Sequence, residues 1–224
     1  MEVDLLPVAL MNTIWADRDG VHDTLDAGAA DWLRTAARRL LTDLPRGDAG
    51  LGADLQEDIA RLRRLRDALR RLAAGVTDDP RPDAASAIPD RAAALTVLNE
   101  TCALATAWPA LVWPPAASPA ASPAAVSPPA ASPPAASPPA ASPPAGTPYA
   151  VARTAHPSST LALARLAAQA VELLARPSAL GACVAPGCVR YFVRDHPRRG
   201  WCSAACGNRA RVARHYRRHH GSAG

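Results

Sequence analysis

The 224-residue chain contains no lysine: all 25 of its basic residues are arginine, set against 20 acids. Large core residues other than leucine are also scarce, with one Phe, three Tyr, five Trp and two Met. The 49% hydrophobic content is inflated by alanine, so leucine must supply most of any core. No apolar run approaches the ~20 residues that a membrane-spanning helix needs, and no membrane partner is expected. The opening MEVDLLPVALMNTIW is acidic and lacks a cationic start, so it is not expected to act as a secretory signal. The expected location is cytoplasmic. Catalytic signatures are missing as well: there is no H-E-x-x-H, no phosphate-cradling glycine loop and no G-x-S-x-G. An enzyme is not expected. The absence of lysine itself reads as GC-rich coding bias, since it accompanies abundant Ala, Arg and Pro.

The charge that is present is unevenly spread. From Gly181 onward nine Arg against the single acid Asp195 give +8, and the chain total of +5 leaves −3 for residues 1–180. A near-neutral body with a concentrated basic end points to a polyanion-binding module behind a separate domain, divided here as 1–180 and 181–224.

Residues 114–146 form a low-complexity stretch that settles into an AASPP period and holds twelve of the 23 prolines. Such a segment cannot bury enough apolar surface to offset its ordering entropy, so a disordered, solvated insert is expected. In polyproline II it could extend on the order of 100 Å. A docking site for a proline-reading domain, or a glycosylated stalk, is the functional alternative.

Elsewhere in the first 180 residues the pattern is helical. Asp23 or Asp26 can cap a helix whose Trp32, Leu33, Ala36, Ala37, Leu40 and Leu41 share a face. A second helix over 52–73 has Leu55, Ile59, Leu62, Leu65, Leu69 and Leu72 at threes and fours, and its interleaved arginines are read as a solvated outer face. A third, over 90–105, is marked by Pro89 at a first-turn position and by Leu95, Leu98 and Cys102. A fourth is capped by Ser158 or Ser159 and ends before Pro177. Cys102, on an apolar helix face, reads as a small buried hydrophobe. Two β-rich runs, Pro109–Trp113 and Pro148–Thr154, flank the insert and predict an antiparallel hairpin whose turn the repeat has replaced. The expected fold class is therefore mainly α, with a small β-hairpin in the N-terminal domain.

Four of the five cysteines cluster as Cys183-x4-Cys188-x13-Cys202-x3-Cys206. Two close pairs separated by a short loop is the layout of a four-thiolate zinc (Zn2+) site, preferred here over two disulfides. Ala185-Pro186-Gly187 supplies turn chemistry inside the first pair, and Tyr191-Phe192-Val193 can form a short strand. His196 is a spare ligand that four thiolates make unnecessary. From Cys202 the sequence reads as a helix whose N-terminus favours thiolates. Along it Arg211, Arg214 and Arg218 recur at i, i+3 and i+7 in one guanidinium stripe. Val212 and Tyr216 are positioned to pack beside Trp201 and Phe192. A basic helix on a zinc module can enter a DNA groove or follow a phosphate backbone, so DNA or RNA is the expected partner.

The run Cys206-Gly207-Asn208-Arg209, preceded by the C-x4-C pair, resembles the bacterial CGNR zinc-finger family. Asn12-Thr13, Asp23-x-Leu25 and Trp32-Leu33 are similar to the opening of ABATE, the helical domain that precedes this finger in the family. The resemblance implies a transcription regulator, with the insert at 114–146 as a departure from the family pattern. Within the motif, Gly207 is expected to allow close backbone approach beside the metal. Asn208 and Arg209 either brace the knuckle and its thiolates or touch DNA, where Arg suits guanine or phosphate and Asn suits adenine. Arg217 joins Asn208, Arg209, Arg211, Arg214 and Arg218 as a candidate nucleic-acid contact. The N-terminal domain is expected to sense a small-molecule ligand or to form a homodimer. A protein–protein adaptor that docks through the zinc module and the insert is the competing function.

Overall fold

A computed structural model of the chain describes residues 5–44, 54–81, 86–112, 148–196 and 198–220. The Pro/Ala/Ser insert at 114–146 lies outside the described residues, as does the acidic start at 1–4.

Leucine and alanine periodicity produces the body. Helices α1 (Leu6–Met11), α2 (Leu25–Leu40), α3 (Leu55–Val76), α4 (Arg91–Cys102) and α5 (Ser158–Leu174) pack around one core. The centre is made by α3 and α5, each of which contacts α1, α2 and α4. On α5, Leu161, Leu163, Leu166, Ala167, Ala170 and Leu173 are all buried, too wide an arc for a surface helix, so neighbours cover it on several sides. Pro157 takes the cap position of α5, and Ser158, expected as a cap, is already helical. Thr24, not Asp23 or Asp26, stands at the N-cap of α2, and Asp23 just before it accepts the Leu25 N–H on Oδ1 at 2.9 Å. Cys102 is half-buried against the core, and burial pushes its thiol up from the ordinary value.

The predicted hairpin flanking the insert is present. Strands β3 (Trp108–Val112) and β4 (Tyr149–Arg153) pair antiparallel, with Trp108 opposite Arg153 and Val112 opposite Tyr149. Two further elements lie beyond what the sequence pattern predicts. Residues 6–11 form α1, and a tight hairpin follows as β1 (Ile14–Asp17) and β2 (Gly20–Asp23), where the Trp15 and His22 rings stack at 4.3 Å. Both segments are too short for periodicity to register.

The arginine run of α3 departs from the solvated face expected of it. Arg66 and Arg70 are buried, at 5% and 0% exposure. Arg66 Nη1 lies 2.6 Å from both oxygens of Asp23, and its Nε reaches Asp67 at 3.0 Å. Arg70 donates from Nη1 to the carbonyls of Met11 and Val189, at 3.0 and 3.2 Å. The physical reason is helical phase: Leu62, Arg66 and Arg70 fall four apart, so both arginines ride the apolar stripe and must find partners inside.

The C-terminal part begins with β5 (Leu180–Ala182), after a short 3-10 turn at Pro177–Ala179. Strand β5 pairs antiparallel with β6 (Tyr191–Val193). The 180/181 division therefore falls within β5. Alternation splits this hairpin between two cores: Leu180, Ala182 and Tyr191 join the helical body, while Phe192 turns to the cysteine cluster. Phe192 lies over its cross-strand partner Gly181, where an added Cβ would sit 2.6 Å from the ring, so the close approach requires glycine.

Asn12 clamps the hairpin to the body. Its Nδ2 donates to the Tyr191 carbonyl at 2.8 Å, and its Oδ1 accepts the Tyr191 N–H at 2.9 Å. Replacing Asn12 by alanine leaves both partly buried backbone groups unmatched. The expected loss is about 2–3 kcal/mol of unfolding free energy, read as a lower urea midpoint; an unchanged midpoint would deny Asn12 this role.

Candidate metal centre

The cluster is built from two knuckles and a helix start. In the first, Pro186 and Gly187 occupy the centre of a turn closed by the Cys188 N–H on the Ala185 carbonyl at 3.0 Å. Gly187 has φ +70°, the left-handed value that the third position of a type II turn demands. A second bond, Cys183 N–H to the Arg190 carbonyl at 3.0 Å, brings the ends of the loop together. In the second knuckle, Ser203 Oγ accepts the Cys206 N–H at 3.2 Å, the bond of an N-cap three residues ahead of it. Helix α6 (Ala204–His220) follows, so Cys202 stands just before the helix and Cys206 in its first turn. The helix expected from Cys202 starts instead at Ala204, because Ser203 takes the cap.

One sulfur from each of Cys183, Cys188, Cys202 and Cys206 falls within 4.8 Å of all the others. Cys188 and Cys202 are 3.8 Å apart, and Cys202 and Cys206 are 3.5 Å apart. Sulfurs about 2.3 Å from a tetrahedral zinc stand roughly 3.8 Å from one another, so the donor set and its spacing fit that ion. His196 is not part of the group: it is exposed, and its Nδ1 accepts the Arg198 amide at 3.1 Å.

Hydrogen bonding among the sulfurs shifts the thiols in opposite directions. The Cys183 thiol is held far below its usual range by hydrogen bonds from Cys188 and Cys202, with the amides of Cys202 and Ala185 adding to the effect. By contrast, Cys188 is pushed up to about 11 because it shares a proton with Cys183, and Cys202 is pushed up further by both neighbours. Binding of a cation at such a four-sulfur site displaces the thiol protons.

Arginines surround the sulfurs. Arg209 Nη2 donates to Cys206 Sγ at 3.2 Å, and this bond raises the already high Arg209 value. Arg199 donates to the carbonyls of Trp201 at 3.2 Å and Cys202 at 3.1 Å, while its guanidinium lies 5.2 Å from the Phe192 ring centroid. Asn208 Oδ1 accepts from Arg211 one turn later on α6. Arg211, Arg214, Arg217 and Arg218 are exposed.

The packing of α6 corrects one expectation. Cys206, Gly207 and Ala210 are its buried positions, while Val212 and Tyr216 are 68% and 64% exposed. Packing of Cys206 and Ala210 in the cysteine cluster fixes the helix phase, and Val212, two residues past Ala210, is carried away from that face. Gly207 faces the Trp201 ring, where an added Cβ would find ordinary contact at 3.4 Å. Val212 and Tyr216 instead line an open groove of about 790 Å³ with Val184, Pro186, Ala213, Arg209 and Arg217.

Comparison with known proteins agrees with this geometry. The model of the family described as "Putative stress-induced transcription regulator", ABATE, matches residues 4–177. That of the CGNR zinc finger matches residues 179–219. No curated protein matches the chain. Among the described residues no helix is long and apolar enough to cross a membrane.

Proposed function

From this chain's membership of the ABATE family, and from the CGNR zinc finger at its end, we propose that it is a zinc-dependent transcription regulator that binds DNA through α6. Cys183, Cys188, Cys202 and Cys206 hold Zn2+ through four sulfurs, a closed set that leaves no coordination position for substrate and gives the ion a structural part, not a catalytic one. The carrying observation is that α6, anchored to the cluster at Cys206, leaves Arg211, Arg214 and Arg218 exposed along one flank. Those guanidiniums neutralise phosphates or read guanine edges. Asn208, Arg209 and Arg217 are further contacts, although Arg209 is already engaged by Cys206 and Arg217 borders the groove. One short helix covers few base pairs, so a homodimer reading two half-sites supplies the affinity. The helical body is the part that dimerises or binds a small-molecule signal, and the protein acts in the cytoplasm.

The test is selection from random DNA by purified, zinc-loaded protein, alongside a variant with Arg211, Arg214 and Arg218 replaced by alanine. The expected result is an enriched sequence that the variant fails to enrich. No enrichment by the wild type, or the same enrichment by both proteins, would remove the DNA reading.

One observation favours a second reading. The groove of Val184, Pro186, Val212 and Tyr216 is apolar and exposed, a surface more typical of protein docking than of duplex DNA. In that reading the finger is an adaptor, which predicts partner capture that survives nuclease treatment and no DNA shift by the full chain.

A further inference from the structure

Arg81 belongs neither to the sulfur cluster nor to the basic helix, yet it is bonded to the first knuckle at three points. Its Nη1 donates to the carbonyls of Cys183 at 3.0 Å, Cys188 at 2.9 Å and Arg190 at 3.1 Å. The remaining nitrogens hold both oxygens of Asp79, Nε to Oδ1 at 2.7 Å and Nη2 to Oδ2 at 2.5 Å. The Asp79 side chain is fully buried and also accepts the Tyr191 hydroxyl at 2.9 Å. Burial alone would raise Asp79, but the bonds from Arg81 hold its carboxyl below the usual range. The guanidinium lies 5.0 Å from the Tyr191 ring centroid, so its face is fixed as well as its edges. A residue of the helical body is thereby locked in orientation and aimed at the loop that carries two of the four sulfurs.

Two physical effects follow. Three carbonyl dipoles converging on one point repel each other unless a cation sits between them. Pinning them fixes the loop from 183 to 190, and with it the separation of the Cys183 and Cys188 sulfurs. In addition, four thiolates around a divalent cation carry a net charge of −2, which a nearby guanidinium offsets. Arg199 braces the carbonyls of the second knuckle from within the finger. The first knuckle receives its arginine from 102 residues earlier in the chain.

We infer that Arg81 is a positioning residue for the metal centre, through which the helical body forms part of the metal site. This rests on the proposed four-thiolate zinc reading. The finger is then not an independent bead on a basic tail: its first knuckle reaches metal-binding shape while Arg81 is docked on it. By linkage, metal binding stabilises the docked body to the same degree.

The experiment uses the full chain as wild type, R81A, R81K, D79N and R165A. The last removes a pair with Asp43, at which Arg165 Nη2 donates to Oδ2 at 2.8 Å, away from the knuckles. Zinc affinity is measured by competition with a chromophoric chelator, and the sulfur environment by cobalt(II)–thiolate absorption. R81A is expected to bind zinc about 10- to 100-fold more weakly, the range for loss of such outer partners. R81K falls between, because an ammonium cannot hold the carboxylate and three carbonyls in one fork. D79N, which preserves side-chain shape, shows a smaller drop and carries the comparison should R81A not accumulate. R165A binds like wild type. Wild-type affinity and spectra in both R81A and D79N, or an equal drop in R165A, would overturn the inference. A wild-type protein that gives no four-thiolate cobalt spectrum would instead remove the zinc reading, and this inference with it.

Discussion

Cys206→Ser, or chelation of the wild type, is expected to abolish tight zinc binding and release the second knuckle and α6 while leaving the helical body folded. The cluster core consists of Cys183, Ala185, Cys188, Phe192, Cys206 and Ala210, flanked by Trp201 and Cys202. So small a core cannot fold without a cross-link, and a structural zinc contributes apparent binding free energy of about 10–16 kcal/mol that has no apolar replacement. The loss is nevertheless local. Leu180, Ala182 and Tyr191 belong to the core of the body, and Asn12 holds Tyr191 at both backbone groups. The β5–β6 hairpin should therefore stay docked when α6 melts.

Trypsin reads this difference directly because every basic residue is arginine. Loss of the metal should open cleavage after Arg209, Arg211 and Arg214, while the buried Arg66 and Arg70 remain protected. Simultaneous cleavage throughout the chain would mean that the finger and body unfold as one unit. Unchanged protection of α6 after chelation would mean that the metal is not what holds it.

The second large effect concerns salt. Alanine at Arg211, Arg214 and Arg218 should lower the log–log salt slope of DNA binding by about 3 units, since each neutralised phosphate contributes roughly 0.9. Between 50 and 200 mM salt the wild type would then lose about 40-fold more affinity than the variant. The variant should keep its metal, because the three side chains are exposed and α6 is docked through Cys206, Gly207 and Ala210. Equal slopes for the two proteins would show that this flank does not face phosphate. A variant without zinc would show that the stripe is structural.

Both predictions start from features visible in the residues alone. The two cysteine pairs, their spacing and the CGNR run marked the metal centre, because a tetrahedral ion makes strict local demands on sequence. Leucine periodicity likewise marked α2 to α5, and the β-formers on either side of the insert marked the β3–β4 hairpin, since each pattern spans enough residues to carry its period. Short segments did not show: α1 and the β1–β2 hairpin hold too few residues for a period to emerge. Asn12 and Thr13 stand out as a motif, but only the fold shows Asn12 bridging to Tyr191.

What remained hidden was decided by contacts between residues far apart in the chain. Arg66 and Arg70 look like members of a solvated basic run, yet their partners, Asp23, Met11 and Val189, lie on other elements. Val212 and Tyr216 look like docking residues, but the packing of Cys206 and Ala210 in the cysteine cluster sets the phase of α6 and turns them outward. Arg81 carries no local signal, since a guanidinium acquires its role from the carbonyls that converge on it. The sequence by itself determined a helical body, a four-sulfur cluster and a basic helix, all of which depend on residues close together along the chain. Only the tertiary structure decided that body and finger share the β5–β6 hairpin and a buried arginine network, because a buried charge must be matched wherever the fold brings its partners.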